Sequence, residues 1–262
     1  MNAIKVVVNG ALGKMGREIV NTLSREPGIQ PVGAVELRVT ENYLTLPDGS
    51  KVPFSSDLED ILTRCQPQVL VDFTVAQATM PAVRTATKHG VNLVIGTTGL
   101  SAEDIKEIDR LTTAHGVGAV VAPNFALGAV LMIHLAKIAA KYFDYAEIIE
   151  LHHHRKADAP SGTALSTARV MAQAKGKSFS IPEQKGTWDS RKEQVEGITI
   201  HSVRLPGLMA HQEVLLGALG QTLSIRHDTI SRECYLPGII MAIKEVVKRK
   251  GLVYGLDTLL GL

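Results

Sequence analysis

The chain has 262 residues, of which 45% are hydrophobic and 21% are charged, and its formal net charge is +2. This composition is typical of folded, soluble domains and excludes disordered and collagen-like chains. Acidic and basic residues are interleaved without a basic stripe or a charged tail, which argues against a nucleic-acid partner. The length allows one large domain or two of modest size.

Residues 1–123 alternate short β-branched runs with amphipathic segments, a pattern typical of a parallel sheet with crossover helices. The predicted strands are residues 4–9, 31–36, 69–73, 92–98 and 118–122, and the predicted helices are residues 16–25, 58–64, 80–89 and 102–115. Ser101, followed by acidic residues, is the expected N-cap of the last of these helices.

The pattern changes after Phe125, which predicts a second domain of different architecture. Its expected elements are helix 128–142, strand 146–153, helix 163–175, a polar segment 176–197 with the only Trp, Trp188, and strands 198–204, 211–217 and 221–227. The short turn "ALG" predicts that the last two strands are antiparallel. A final helix is expected at residues 237–250.

One segment, residues 117–136, contains no Asp, Glu, Lys or Arg over about the length of a membrane span. Pro123 and Asn124 interrupt it, so a strand, a loop and a helix explain it better. No signal-peptide pattern is found at the first residues. Cys65 and Cys234 match no metal-binding spacing, so we expect two buried, reduced thiols in a cytoplasmic protein without membrane association.

The stretch "VVVNGALGKMGREIV" places Gly10, Gly13 and Gly16 at three-residue intervals between a strand and a helix. Such a loop suits a dinucleotide, because glycines permit a tight turn and a close approach of the backbone to a pyrophosphate at the helix start. Glu36 closes the second strand, where a carboxylate accepts hydrogen bonds from ribose hydroxyls. An ordinary strand-to-helix turn with a surface carboxylate remains the alternative.

The identity of the dinucleotide stays open between NADH and NADPH. Glu36 would repel a 2′-phosphate, whereas Lys14 and Arg38 are near enough in sequence to stabilise one. Two further loops, "GTTG" and "APNF", fall at the ends of predicted strands, at the sheet edge where ligands bind in such folds. Both could equally be ordinary turns.

The densest group of polar residues is "ELHHHRKADAPSGTA", residues 150–164. On a strand, His152 and His154 would share one face and His153 the other, so the three side chains would not converge on a metal, and we predict no metal site. A partly solvated structural cluster is the alternative. Ser161, Gly162 and Thr163 are expected at a helix start, where free N–H groups can bind a carboxylate or merely be capped. Lys156 adds a positive charge, and a histidine can donate a proton near neutral pH.

Taken with "GALGKMG", "VDFT", "GTTG", "APNF", "HSVRLPG" and "IRHD", this stretch resembles the 4-hydroxy-tetrahydrodipicolinate reductase (dihydrodipicolinate reductase) family from end to end. The resemblance implies an α/β fold with an N-terminal Rossmann-like parallel sheet and a second α+β domain containing a mixed open sheet. The implied dinucleotide-binding domain is residues 1–123 and 234–262. The implied domain for substrate binding and oligomerisation is residues 124–233.

Carried over by position, the resemblance implies that His152 donates a proton and that Lys156 is the catalytic lysine. Substrate carboxylates would be held by His153, Lys156, Gly162 and Thr163, with Ser161 added from its place at the helix start. The cofactor contacts would be Gly10, Ala11, Leu12, Gly13, Lys14, Met15, Glu36, Gly96, Thr97, Thr98, Ala122, Pro123, Asn124 and Phe125, with Arg38 as a further candidate. Leu37 stands where some family members have a basic residue, which leaves the cofactor preference open.

The implied reaction is the reduction of 4-hydroxy-tetrahydrodipicolinate by NADH or NADPH, with loss of water, in the diaminopimelate route to lysine. A small dicarboxylate substrate and a homotetramer joined through the second sheet follow from the same resemblance. The alternatives are another two-domain dehydrogenase, such as an aspartate or homoserine dehydrogenase, a dinucleotide-sensing regulator, and a metallohydrolase built on the histidines.

Overall fold

The computed structural model describes residues 3–183 and 193–262. Trp188 and the rest of residues 184–192 in the predicted polar segment lie outside the described residues. The chain divides into two compact units: residues 1–127 with 235–262, called here the N-terminal unit, and residues 128–234, called the inserted unit.

The strands of the structure follow one another in chain order along both units. They are β1 Ile4–Asn9, β2 Ile29–Val35, β3 Tyr43–Thr45, β4 Lys51–Ser55, β5 Val69–Asp72, β6 Asn92–Ile95, β7 Gly118–Val121, β8 Tyr145–His152, β9 Gln194–Val195, β10 Ile198–Arg204, β11 Ala210–Ala218, β12 Gln221–Thr229 and β13 Gly251–Tyr254. The helices are α1 Lys14–Leu23, α2 Leu58–Cys65, α3 Ala76–Lys88, α4 Ala102–His115, α5 Leu127–Ala139, α6 Gly162–Lys175, α7 Leu236–Val246 and α8 Leu256–Leu260.

The N-terminal unit is built on an eight-stranded sheet in the order β13-β7-β6-β5-β1-β2-β4-β3. Every neighbouring pair is parallel except β3 with β4. The central strands are continuous apolar runs because both faces are buried, as Val7, Leu70 and Leu93 show at 0% exposure. Their carboxyl ends lie at one edge of the sheet, so the loops after β1, β5, β6 and β7 meet there.

The inserted unit contains a five-stranded mixed sheet in the order β12-β11-β8-β10-β9. β8 is parallel to β10 and antiparallel to β11, and β11 is antiparallel to β12. Ile148, Val214 and Ile198 pack with Met171 of α6 in its core. The predicted fold class is therefore confirmed, as is the antiparallel pairing of the last two predicted strands.

Several predicted elements have different bounds in the structure. α3 begins at Ala76 rather than residue 80, because the N–H groups of Ala78 and Thr79 donate to Val75 and add a turn before Pro81. β8 ends at His152, so His153 and His154 lie in an exposed turn and the predicted strand alternation through them is wrong. The final helix ends at Val246, because residues 251–254 form the edge strand β13.

Both cysteines are free and only half-buried, not fully buried as expected from the sequence. Partial burial raises the pKa of each thiol. No helix in the described parts of the chain is long and apolar enough to cross a bilayer.

Candidate active site

The loop between β1 and α1 depends on two glycines for its own packing. Gly10 has a φ of +78°, and a Cβ there would lie 2.8 Å from Cγ2 of Thr74. A Cβ at Gly16 would overlap the carbonyl oxygen of Gly10. By contrast, Gly13 is the N-cap in an extended conformation that any residue adopts, and a Cβ there would meet only the Gly10 carbonyl oxygen, at 3.1 Å.

The start of α1 presents backbone N–H groups without a side-chain cap. An uncapped helix start attracts anions, because its first N–H groups have no partner within the helix and the helix dipole is positive there. Lys14 and Met15 begin the helix, whereas Ala11 is buried within the loop. The local geometry therefore suits a phosphate group.

The carboxylate of Glu36 contacts this loop directly. Its Oε2 accepts the N–H of Leu12 at 3.0 Å, and its Oε1 accepts the N–H of Leu37 at 2.9 Å. Glu36 is only partly buried. Its oxygens have lone pairs left for ligand hydroxyls, because each carboxylate oxygen can accept two hydrogen bonds.

A cavity of about 780 Å³ opens beside Glu36 at the carboxyl edge of the sheet. It is lined by Asn9, Gly10, Gly13, Val35, Glu36, Leu37, Ser56, Asp57, Leu58, Glu59, Phe73, Thr74, Val75, Ala78, Pro81, Ala82 and Thr85. Three of these residues are acidic, and none of the described residues that line it is a lysine or an arginine. The cavity thus includes Gly10, Gly13 and Glu36 of the predicted cofactor residues, but neither Lys14 nor Arg38, which is exposed.

The loops after β5 and β6 are held together by the buried carboxylate of Asp72. Its Oδ1 accepts the hydroxyls of Thr97 at 2.6 Å and Thr79 at 2.9 Å, and its Oδ2 accepts the side-chain amide of Asn9 at 2.7 Å. Asp72 was not predicted as a site residue. The signal that could have found it is a carboxylate directly ending an apolar strand at the ligand edge of the sheet.

The predicted loops "GTTG" and "APNF" are linked through Phe73. A Cβ at Gly96 would overlap the Phe73 ring, and that ring packs against Phe125 with centroids 5.5 Å apart. Asn124 accepts the N–H of Ala126 at 2.9 Å, so its side chain supports the turn. Thr98 and Pro123 are exposed and Ala122 is buried. Phe73 lines the cavity beside Glu36, whereas residues 96–99 and 122–125 are not part of its described lining.

In the inserted unit, His152 ends β8 and its Nδ1 lies 2.5 Å from Oε2 of Glu150. The two residues are two positions apart on one strand, which places both side chains on the same face. Glu150 is fully buried, while the His152 side chain keeps 15% exposure. The histidine therefore has one ring nitrogen bound to the protein and an accessible edge.

Glu150 is the centre of a larger network. Arg204 of β10 donates to both of its oxygens, at 2.9 Å and 2.7 Å, and the N–H of Ser161 donates to Oε1 at 3.2 Å. Burial alone would raise the pKa of Glu150, but hydrogen bonds from His152, Arg204 and Ser202 lower it to about 2. The carboxylate is therefore ionised at neutral pH and shared by the histidine and the arginine.

The start of α6 is fixed by the same network. The Ser161 hydroxyl accepts the N–H of Ala164 at 3.2 Å and caps the helix, as one of the alternatives for this turn predicted. Ser161 is buried, so its polar groups are engaged within the protein. Gly162 is exposed, and a Cβ there would have no atom of the described residues within 4 Å. Gly162 and Thr163 thus offer their N–H groups at an open helix start.

The lysine of the same stretch is paired with a neighbouring carboxylate. Lys156 Nζ lies 2.7 Å from Oδ1 of Asp158. The hydrogen bond from Lys156 holds the pKa of Asp158 below its usual value. Arg204 also donates to the carbonyl oxygen of Asp158 at 2.6 Å, so the loop carrying Lys156 is tied to the Glu150 network.

Glu150 and Arg204 were missed as functional residues in the sequence. Glu150 could have been found from its two-residue spacing to His152 on a strand. Arg204 lies 54 positions from Glu150, and only the parallel register of β8 with β10 brings them together. No group of His, Cys, Asp and Glu suited to a metal ion occurs within residues 3–183 and 193–262.

Comparison with known proteins gives matches over both units. The family described as "Dihydrodipicolinate reductase, N-terminus" matches residues 4–125, and "Dihydrodipicolinate reductase, C-terminus" matches residues 128–260. A 4-hydroxy-tetrahydrodipicolinate reductase of Dehalococcoides mccartyi is 56% identical over 100% of both chains. One of Moorella thermoacetica is 49% identical over 98% of each chain.

A solved structure with the same fold is a dipicolinate-bound dihydrodipicolinate reductase from Paenisporosarcina sp. TG-14. It has a TM-score of 0.87 and 38% identity, and the match covers 97% of this chain and 98% of that one.

Proposed function

Because the chain belongs to the dihydrodipicolinate reductase family, NAD(P)H-dependent oxidoreductases of lysine and diaminopimelate biosynthesis, we propose that it reduces 4-hydroxy-tetrahydrodipicolinate to tetrahydrodipicolinate with loss of water. The observation that carries this proposal is the network at Glu150. Glu150 binds two groups. One is a histidine that can transfer a proton, and the other is a helix start that can bind a carboxylate. Both groups are what reduction of a cyclic imine dicarboxylate requires.

The N-terminal unit is proposed to bind the dinucleotide. A pyrophosphate fits the start of α1, which has no side-chain cap and has Gly13 in an extended conformation. The adenosine ribose fits the cavity beside Glu36. When bound, a reduced nicotinamide supplies the hydride. The loops containing Gly96, Thr97, Thr98 and residues 122–125 lie at the same sheet edge and are proposed to complete the cofactor site.

We propose that NADH is preferred over NADPH. The cavity beside Glu36 also carries Asp57 and Glu59, and its described lining holds no cation to neutralise a 2′-phosphate. Three carboxylates beside the ribose would repel that phosphate. Lys14 and Arg38, the two candidates for stabilising it, lie outside this cavity.

The inserted unit is proposed to bind the dicarboxylate substrate. The N–H groups of Gly162 and Thr163 would hold one carboxylate, with Lys156 and His153 adding positive charge or donors. The relative from Paenisporosarcina was solved with dipicolinate, a flat dicarboxylate of similar shape. Lys156 would exchange its partner Asp158 for the substrate.

His152 is proposed to supply the proton of the reaction. Hydride addition sends an electron pair through the conjugated imine, and the product takes up one proton to balance the charge. Nε2 of His152 is the ring nitrogen not bound by Glu150, so it is the atom assigned to that transfer. The charge of Lys156 would stabilise negative charge that develops on the ring.

We further propose a cytoplasmic homotetramer that assembles through the sheet of the inserted unit. The face of this sheet opposite to α6 carries polar pairs such as His201 with Glu147 and Arg226 with Glu213. The family resemblance supports this assembly. Light scattering of the purified protein tests it, with a monomer or dimer as the contrary result.

The reaction is tested by following the loss of nicotinamide absorbance with NADH and then NADPH, using substrate freshly made from pyruvate and aspartate semialdehyde. We expect rapid oxidation that depends on the substrate and a higher kcat/KM with NADH. A folded protein that binds dinucleotide without oxidising it would contradict the proposal and favour another dehydrogenase or a sensor.

The assigned residues are tested by His152→Ala and Lys156→Ala. Each should lower turnover by roughly 10²- to 10⁴-fold, the effect expected when a proton donor or charge is lost, while dinucleotide affinity is retained. Near wild-type turnover in either variant would show that its assignment is wrong. The matched control is His154→Ala, which removes an exposed histidine of the same turn.

A further inference from the structure

Given the proposed reductase function, on which this inference rests, we propose that Glu150 and Arg204 are the positioning residues of the proton donor. Glu150 fixes the ring of His152 with Nε2 toward the substrate, and Arg204 keeps Glu150 in place. The same carboxylate sets the position of the anion-binding helix start. One ion pair would thus align both the proton donor and the anion-binding helix start.

The first support is the hydrogen bond between Glu150 and His152. Its length of 2.5 Å and the burial of the carboxylate leave Glu150 little freedom to turn elsewhere. A carboxylate accepts and does not donate, so the proton between the two groups belongs on Nδ1 of His152. The neutral ring then has its lone pair on Nε2, and the protonated ring has an N–H there to donate.

The second support is the contact with Arg204. Burying a carboxylate lowers the stability of the fold unless the carboxylate is paired and hydrogen-bonded. Arg204 provides both through a bidentate contact with the two oxygens of Glu150. The low pKa of Glu150 agrees with this pairing, since the carboxylate does not take the proton from His152 near neutral pH.

The third support is the set of other charged groups around His152. The strand register places Arg204 of β10 and Ala210 of β11 next to His152. On the face of β8, β10 and β11 that carries His152, the charged residues are Glu150 and Arg204. His211 pairs in register with Leu151 and therefore lies on the other face, with Asp228. In the following loop, Lys156 and Asp158 are paired with each other.

The fourth support is the contact of Glu150 with Ser161. Its Oε1 accepts the N–H of Ser161, whose hydroxyl caps α6. Arg204 also donates to the carbonyl oxygen of Asp158. The loop from Lys156 to Ser161 is therefore fixed at both of these points by the same ion pair.

The inference is tested with Glu150→Gln, measuring kcat and KM from pH 5 to 9 with saturating NADH. The amide can donate to Nδ1 as well as accept from it, so it no longer fixes which ring nitrogen carries the proton or how the ring is turned. We expect kcat at pH 7.5 to fall about 10- to 100-fold, with a smaller change in KM. Glu150→Asp should restore part of kcat.

The matched control is Glu147→Gln, which removes a carboxylate bound to His201 at 2.7 Å on the same strand and the other face. This control should keep kcat within about threefold of the wild type over the same pH range. A Glu150→Gln enzyme with kcat equally close to that of the wild type would overturn the inference. A wild-type protein without reductase activity would instead overturn the proposed function.

If Glu150→Gln does not fold, the cause would be that the partly buried Arg204 has lost its charged partner. The inference is then tested on the wild-type protein by ¹⁵N NMR of its histidines, with His152 assigned from its missing signals in His152→Gln. We expect neutral His152 to carry its proton on Nδ1. A proton on Nε2 would overturn the inference.

Discussion

A glutamate contacts the backbone just before α1, and another contacts the backbone just before α6; the first directly follows strand β2 and the second lies on β8. The two glutamates differ in environment. Glu36 accepts the N–H of Leu12 before α1, and Glu150 accepts the N–H of Ser161 before α6. Glu36 is partly exposed beside a cavity, whereas Glu150 is buried and paired with Arg204. The same local contact leaves the first carboxylate accessible to a ligand and commits the second to the protein.

The glycines of the two helix starts differ in the same way. Gly16 is required by the packing of its own loop, since a Cβ would overlap the Gly10 carbonyl. Gly162 faces open space among the described residues, so no contact within residues 3–183 and 193–262 requires a glycine there. A glycine in a motif can therefore be required either by packing within the protein or by a bound ligand. The atoms around the glycine distinguish the two cases.

The largest effect is expected from Gly16→Ala. The added Cβ cannot be accommodated without moving the loop backbone, so the free energy of unfolding should fall by about 3 kcal/mol. Urea denaturation of the variant measures this loss. Gly13→Ala is the control and should cost less than about 1 kcal/mol, so equal losses in the two variants would show that Gly16 is no more important for packing than Gly13.

A second test places a negative charge at the start of α1. Gly13→Asp should raise the Kd for NADH by about 100-fold, because the new carboxylate would occupy and repel the position of the pyrophosphate. Stability should change little, since Gly13 has an ordinary backbone conformation. Calorimetric titration measures the Kd, and Gly13→Asn separates charge from size. An unchanged Kd would show that the pyrophosphate does not bind there.

The corresponding test at α6 is Gly162→Val. The fold has room for the side chain, so thermal stability should stay close to that of the wild type, while KM for the dicarboxylate rises about tenfold from crowding of the anion site. Ser166→Val, at an exposed position of the same helix, controls for a β-branched residue. If both variants have the wild-type KM, the Ser-Gly-Thr turn is only a helix cap.

The smallest expected effect is the acid dependence of stability from Glu150. Its folded pKa of about 2 lies below the ordinary value of 4.5, so its contribution is complete above pH 4.5 and is lost as the pH falls toward 2. At pH 3.5 the loss should be about 1 kcal/mol. Urea midpoints at pH 6 and pH 3.5 measure it, and the difference should shrink in Glu150→Gln. An equal difference in both proteins would exclude Glu150 as its source.

The sequence predicted the elements whose pattern is local. β1 and α4 have the predicted bounds, because β1 has a run of three valines and α4 has a capping box at Ser101 and a glycine C-cap at Gly116. In the sheet of the N-terminal unit, β3, β4 and β13 were missed. β3 and β13 have only three and four residues, and all three lie toward the edges of the sheet, where the apolar signal is weak.

The site residues, too, could be predicted only where they lie close together in the sequence. His152, Lys156 and the Ser161 turn stand in one short segment, so their residue types alone suggested proton transfer and anion binding. Arg204 enters the site through strand register, and a contact across 54 positions leaves no periodic signal. The acidic lining beside Glu36 likewise depends on Asp57 and Glu59, which follow β4, a strand that was not predicted.

The sheet of the N-terminal unit takes its edge strand β13 from residues 251–254, after the whole of the inserted unit in the chain. On a ribosome, residues 128–234 therefore emerge as a continuous piece before the first sheet can be completed. Domains generally fold as units during synthesis, so the inserted unit can form while β7 still has an unpaired edge. A translational pause after residue 234 would prolong the life of that edge, and with it the opportunity for nascent chains to aggregate.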